Sequence, residues 1–250
     1  MYVSISASQW GSPTAPRKAL LIHGLISSSN SWEGVAQLLA AEGFFVVAPN
    51  LIGHAWRRGT NYRVSTLVED LRPYFVKDTS YDVIIGHSLG GTVALSLMPF
   101  LPKTKETAVI LLDPPLEIVK GTSKLHKGSF LNEVANVRTN KELADNHGLS
   151  RRDCVLRALG VSMCHRTVVE GVFLHNKSWS FSGLLKNIPP NVKITMLLAD
   201  PEVGAVCHLE HIPRGVERLD VKVLPGIGHC IHYECANAIV DAIPLPRAKL

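Results

Sequence analysis

No stretch of this 250-residue chain is apolar for long enough to cross a bilayer as a helix. The longest runs, such as Ala19–Ile22 and Val109–Leu112, are strand-sized, against the roughly 20 residues a membrane helix needs. The N-terminal Met1-Tyr2-Val3-Ser4 has neither the basic start nor the continuous apolar segment of a secretory leader, which predicts no export by that route. Five cysteines, an odd number at irregular spacing, give no disulfide framework and point to a reducing compartment. Cys230 and Cys235 stand among His229 and His232 in His-Cys-Ile-His-Tyr-Glu-Cys, but that spacing matches no zinc pattern, so no metal and no cofactor are expected. The formal charge of +5 is spread out, with basic pairs only as short as Arg57-Arg58 and Arg151-Arg152. A nucleic-acid surface would concentrate such charge on one face, so no nucleic-acid partner is expected. Internal repeats and low-complexity tracts are missing too.

What is present is a hydrophobic share of 46%, enough for one globular domain with a sizeable core. Apolar, β-branched runs alternate with helix-like segments, the pattern of a parallel sheet covered on both faces. The fold class is therefore α/β. Strands are predicted at Tyr2–Ser6, Lys18–Ile22, Phe44–Ala48, Asp82–Ile85, Thr107–Leu112, Lys193–Leu198 and Lys222–Leu224. Helices are predicted at Ser31–Ala41, Ser65–Lys77, Leu89–Leu101, after Pro201, and at Tyr233–Ala242. From about Leu116 to Pro189 the strand pattern stops, and Phe130–Val137, Asp153–Val161 and Thr167–His175 show helical spacing. Pro114-Pro115 and Pro189-Pro190 bracket this insertion, as suits points where a chain leaves and re-enters a sheet. The expected division is a core of residues 1–116 and 188–250 and a helical cap of residues 117–187.

The segment Gly86-His87-Ser88-Leu89-Gly90-Gly91 follows an apolar strand and precedes a helix. Small residues on both flanks permit the tight turn that lifts a serine hydroxyl above a sheet edge, which makes Ser88 the candidate nucleophile. Serine is a weak nucleophile, so a base must take its proton and an acid must orient that base. Both are expected at later strand ends. Val223-Leu224-Pro225-Gly226-Ile227-Gly228-His229 delivers a histidine from a glycine-rich turn, which makes His229 the candidate base. For the acid, Asp200 follows the strand Ile194–Leu198 and precedes Pro201, while Asp113 follows Leu111-Leu112 and precedes Pro114. Asp200 is the preferred acid and Asp113 its competitor. The oxyanion of an acyl intermediate needs backbone N–H donors; Leu89, after the nucleophile, is one, and Leu25, in the turn Ile22-His23-Gly24-Leu25, is the other.

In this order, His23-Gly24, Gly86–Gly91, Asp200 and Gly228-His229, the sequence resembles the α/β-hydrolase superfamily across nearly its whole length. The resemblance implies a mostly parallel sheet, a helical cap that shapes the pocket, and cofactor-free chemistry on an ester, thioester, lactone or similar acyl bond of a small-molecule substrate. The same scaffold supports C–C bond hydrolases, lyases and ligand-holding receptors with slow turnover, which are the alternatives. Two departures stand out: Asn50 where the family often has Asp, and Ala55 where it often has Gly, putting pocket shape near Trp56 in question. One strand before Lys18–Ile22 leaves room for a seven-stranded sheet.

The chain ends in Ala248-Lys249-Leu250, a small-basic-leucine tripeptide close to the address read by the peroxisomal import receptor. The expected location is the peroxisome, and otherwise the cytoplasm. A fluorescent reporter carrying residues 239–250 at its C-terminus should collect in peroxisomes of a eukaryotic cell, and removing Leu250 should leave it cytosolic. Diffuse signal from the intact tail rejects the address.

Overall fold

Strand residues alternate between two faces, and in this chain each face meets its own core. In a computed structural model describing residues 6–75, 80–147 and 149–244, Ala19, Leu21, Val83, Ile85, Ala108 and Ile110 point to one side, where they pack with Trp32, Val35, Leu39 and Ile239. Leu20, Ile22, Ile84, Val109 and Leu111 point to the other, against Leu67, Leu71, Val93 and Leu97.

The strands are β1 (Ala7–Trp10), β2 (Arg17–Ile22), β3 (Phe44–Pro49), β4 (Val83–His87), β5 (Thr107–Leu112), the short cap strands β6 (Glu117–Ile118) and β7 (Trp179–Ser180), then β8 (Val192–Leu198) and β9 (Leu219–Val223). Seven of them form one sheet in the order β1-β3-β2-β4-β5-β8-β9. All neighbours in it are parallel except β1, which runs antiparallel to β3. The seven-stranded α/β fold is as the sequence indicates. The first strand, however, is Ala7–Trp10; of the predicted Tyr2–Ser6, residues 2–5 lie outside the described residues, as does Ala248-Lys249-Leu250.

The helices are α1 (Glu33–Ala41), α2 (Val64–Leu71), α3 (Leu89–Leu97), the cap helices α4 (Lys120–Ala135), α5 (Asn140–His147), α6 (Arg151–Ser162) and α7 (Arg166–His175), and the short α8 (Ile231–Glu234) and α9 (Ala236–Asp241). Gly43, at φ +79°, ends α1 with its N–H on the Ala40 carbonyl, a left-handed stop that glycine adopts without strain. The helix predicted after Pro201 is absent: turns and the single short 3-10 turn Leu209–His211 occupy that region. Between β5 and β8 lie the helices α4 to α7 and the short strands β6 and β7. Among the described residues no helix is long and apolar enough to cross a membrane.

The sheet order matters for function. From β2 the chain goes outward to β3 and then returns to place β4 on the opposite side of β2, so the carboxyl ends of β2 and β4 flank a topological switch point, the usual ligand crevice of an open α/β sheet. Buried deep in the sheet, Leu21 is fully inaccessible. Leu21→Ala should lower stability by about 2 to 5 kcal/mol, read as a lower denaturant midpoint at unchanged slope; a midpoint equal to wild type would contradict this core assignment.

Candidate active site

At the switch point the turn after β4 bends sharply enough to force Ser88 to φ +51°, ψ −121°, a region that a non-glycine residue occupies only when its surroundings impose it. The flanking glycines show why the turn can close. A Cβ on Gly86 would overlap the Gly90 carbonyl, and one on Gly90 would overlap the carbonyl of Ile22 in β2. The Ser88 N–H is held by the Leu112 carbonyl at 2.9 Å, and α3 begins at the next residue. Leu89 thus lies in the first turn of a helix, whose N–H groups have no partner within it. The turn after β2 runs close by: a Cβ on Gly24 would come within 3.2 Å of the Ser88 Cβ. Leu25 follows directly, and it and Ser88 line the same cavities.

His229 reaches this point from the loop after β9, and its partner is Asp113. The Nδ1–H of His229 donates to Asp113 Oδ2 at 2.6 Å. Asp113 is fully buried, at φ +42°, and also accepts from the backbone N–H of Val206 at 2.9 Å and of Cys207 at 3.0 Å. Burial by itself would push the Asp113 pKa up, but the His229 bond and charge together with the two N–H donors outweigh it and hold the carboxyl below its ordinary value. The acid expected from sequence, Asp200, is elsewhere. Its Oδ2 accepts from the N–H of Gly226 at 2.7 Å and its Oδ1 from that of Glu202 at 2.9 Å, so it clips the loop after β8 to the loop after β9. The correction has a topological cause. β5 lies directly beside β4 in the sheet, whereas β8 is one strand further out, and the segment 201–207 folds back over the end of β5 to cap Asp113 with its amides.

Two cavities meet at Ser88 and His229. The larger, about 500 Å³, has mostly apolar walls that include Leu89, Pro115, Ile118, Val172, Phe173 and Trp179. The smaller, about 90 Å³, runs between Leu25, Ile26 and the cap residue Arg157. Phe130 and Glu133 of α4 belong to both, so the cap forms a wall of each. Among the described residues no three His, Cys, Asp or Glu side chains cluster in a metal-holding arrangement.

Residues 19–242 match the model of the alpha/beta hydrolase family. The chain belongs to that family. An uncharacterized protein of Mycobacterium tuberculosis is 35% identical over 95 residues, covering 37% of this chain and 28% of that protein. Lipase LipV of the same organism is 30% identical over 128 residues, 47% of this chain and 44% of the lipase. The chain thus matches less than half the length of these relatives. Among solved structures, an N-formylmaleamic acid deformylase of Pseudomonas putida S16 superposes with a TM-score of 0.73 at 19% identity, over 96% of each chain, a likeness of fold.

Against the family pattern, the two departures are structurally absorbed. Asn50 Oδ1 accepts from the Ser29 N–H at 2.7 Å and its amide donates to Ser6 Oγ at 2.9 Å, so an amide ties these loops together. Ala55 and Trp56 take left-handed backbone, φ +48° and +62°, which explains why glycine suits position 55. Trp56 is 79% exposed and lines neither cavity at Ser88.

Sequence alone gave no bracing role to the histidines behind this candidate site. His23 Nδ1–H donates to the Gly24 carbonyl at 2.8 Å and its Nε2 accepts from the Leu51 N–H at 3.0 Å, bracing the turn that carries Leu25. His87 Nε2–H donates to the His229 carbonyl at 2.9 Å, fixing the backbone of His229, and its ring lies 4.3 Å from that of His232. Burial is the largest cause in lowering the pKa values of all four of His23, His54, His87 and His232, to about 4 for His54 and about 3 for His87. Such groups bind protons more readily unfolded than folded. Their contribution to stability is complete above about pH 6.5 and is lost as pH falls toward these depressed values. Accordingly His54→Gln should show a shallower loss of stability between about pH 6.5 and 4 than wild type, measured by denaturant midpoints across that range; parallel curves would reject the assignment.

Proposed function

We propose that this protein is a serine hydrolase that cleaves an ester-type acyl bond through an acyl-enzyme on Ser88, with His229 as general base and Asp113 as the acid that orients it. The observation that carries the reading is the 2.6 Å bond from the His229 ring to a fully buried carboxylate, with the histidine and the strained Ser88 lining one cavity. A buried Asp113 accepting from Nδ1–H leaves Nε2 of His229 unprotonated and able to take the Ser88 hydroxyl proton. The serine oxygen then attacks the acyl carbon, and the developing oxyanion is held by the N–H groups of Leu89 and Leu25. The imidazolium returns the proton to the leaving group. Water, deprotonated by the same nitrogen, releases the acid and restores Ser88.

The intact nucleophile, base and acid favour an enzyme over a ligand-holding receptor, and the similarity to a protein named as a lipase supports ester-type substrates. The mostly apolar larger cavity suits a hydrocarbon arm.

Wild type should be labelled by a fluorophosphonate probe at Ser88 and turn over simple esters repeatedly, and Ser88→Ala should lose both. Asp113→Asn should lower kcat by about 10⁴, because an amide can present an N–H to the ring and impose the wrong tautomer. Asp200→Asn should leave kcat within about threefold of wild type, since its bonds lie in a turn beside the site and not on the base. A severe Asp200→Asn with a mild Asp113→Asn, in ester kinetics with folding checked by circular dichroism, would overturn the assignment.

A further inference from the structure

The smaller cavity is not lined by hydrocarbon alone. Arg157 of α6 reaches it with a side chain only 15% exposed, and a mostly buried guanidinium ordinarily has its N–H donors satisfied. Here NH2 donates to Glu133 Oε1 at 3.2 Å, and this is the one hydrogen bond Arg157 makes among the described residues. Its Nε and Nη1 make no hydrogen bond among the described residues, and Arg157 lines the cavity together with Ser88 and His229. The charge, by contrast, is answered: Glu133 neutralises the guanidinium and forms part of the same wall. The cavity end is therefore rich in donors yet close to neutral.

Building on the serine-hydrolase reading above, we infer that Arg157 is a specificity-determining residue that donates to a neutral oxygen acceptor, a ketone, ether or second ester carbonyl, on the shorter arm of the substrate. The physical basis is the balance of charge and donors. A carboxylate in that position would gain the guanidinium but face Glu133, and like charges in a poorly solvated cavity repel strongly. A purely hydrocarbon arm would leave the donors unpaired and cut off from water, which is unfavourable. A neutral acceptor receives a charge-assisted hydrogen bond without adding charge. The volumes assign the arms: about 90 Å³ on the Arg157 side admits a short substituent, and about 500 Å³ on the other a longer apolar one. Because the ester can lie either way round, the short arm is acyl in one orientation and alcohol in the other.

The test uses two series of esters with a common octyl-length arm: octyl pentanoate, octyl levulinate and the octyl half-ester of succinic acid, and the octanoates of butanol and of ethylene glycol monomethyl ether. In at least one series wild type should prefer the acceptor-bearing ester over its hydrocarbon counterpart by about tenfold or more in kcat/KM, the scale of one hydrogen bond to a charged donor. Arg157→Met should bring that ratio close to unity, and Arg157→Lys, which keeps the charge and tests for a merely structural effect, should retain part of it. Glu133→Gln should raise the relative rate on the succinate half-ester, since it removes the competing anion. An equal ratio in wild type and Arg157→Met, a wild-type preference for the half-ester, or parallel loss on every ester in both Arg157 variants overturns the inference. Failure of all the esters with Ser88 still labelled by fluorophosphonate overturns it too, whereas failure with Ser88 unlabelled overturns the serine-hydrolase reading first.

Discussion

The buried carboxylate of Asp113 organises the whole carboxyl edge of the sheet. Taking an unpaired carboxylate out of water is costly, so a fully buried Asp113 demands partners, and it finds three: the His229 ring and the N–H groups of Val206 and Cys207. Those bonds draw the loop after β8 across the end of β5 and bring the loop after β9 to the same point. One carboxylate thereby sets the position of His229 and closes the chain around the site.

The same economy of partners recurs at each remove. His229 is held at its ring by Asp113 and at its carbonyl by His87, the residue immediately before Ser88, so Ser88 and His229 share a brace. His23 ties the turn bearing Leu25 to Leu51. Arg57 donates to the Asn50 carbonyl at 2.6 Å and to both oxygens of Asp70 at 2.6 and 2.8 Å, pinning that loop to α2. The histidines that provide this bracing are kept neutral by burial, and a neutral imidazole can donate at one nitrogen and accept at the other. That makes it a suitable strut between backbone groups in a place where a permanent charge would disturb the base.

Above this edge the cap supplies both the apolar walls and the Arg157–Glu133 pair. Glu133 on α4 and Arg157 on α6 join two cap helices beside the cavity at Ser88, so their ion pair also forms part of that cavity's wall. Cap and core contribute different things: the core positions Ser88, Asp113 and His229, and the cap adds Phe130, Glu133 and Arg157 to the walls above them.

By itself the sequence determined whatever rests on local chemistry. Continuous apolar, β-branched runs determined the strands, and because successive side chains point to opposite faces, also the two-faced sheet. The glycines around Ser88 and the Gly-rich run into His229 determined the turns that display them, since only small residues permit such close backbone approach. The acid was beyond its reach. Leu112-Asp113-Pro114 and Ala199-Asp200-Pro201 carry the same local signal, an apolar strand ending in an aspartate before a proline. What separates them is the position of β5 beside β4 and the return of residues 201–207 over Asp113, and both depend on contacts between segments far apart in the chain. The buried histidines and Arg157 are of the same kind: a side chain's burial and partners are properties of the assembled layers, so only the tertiary structure could decide which of eleven histidines became struts and which paired with a buried carboxylate.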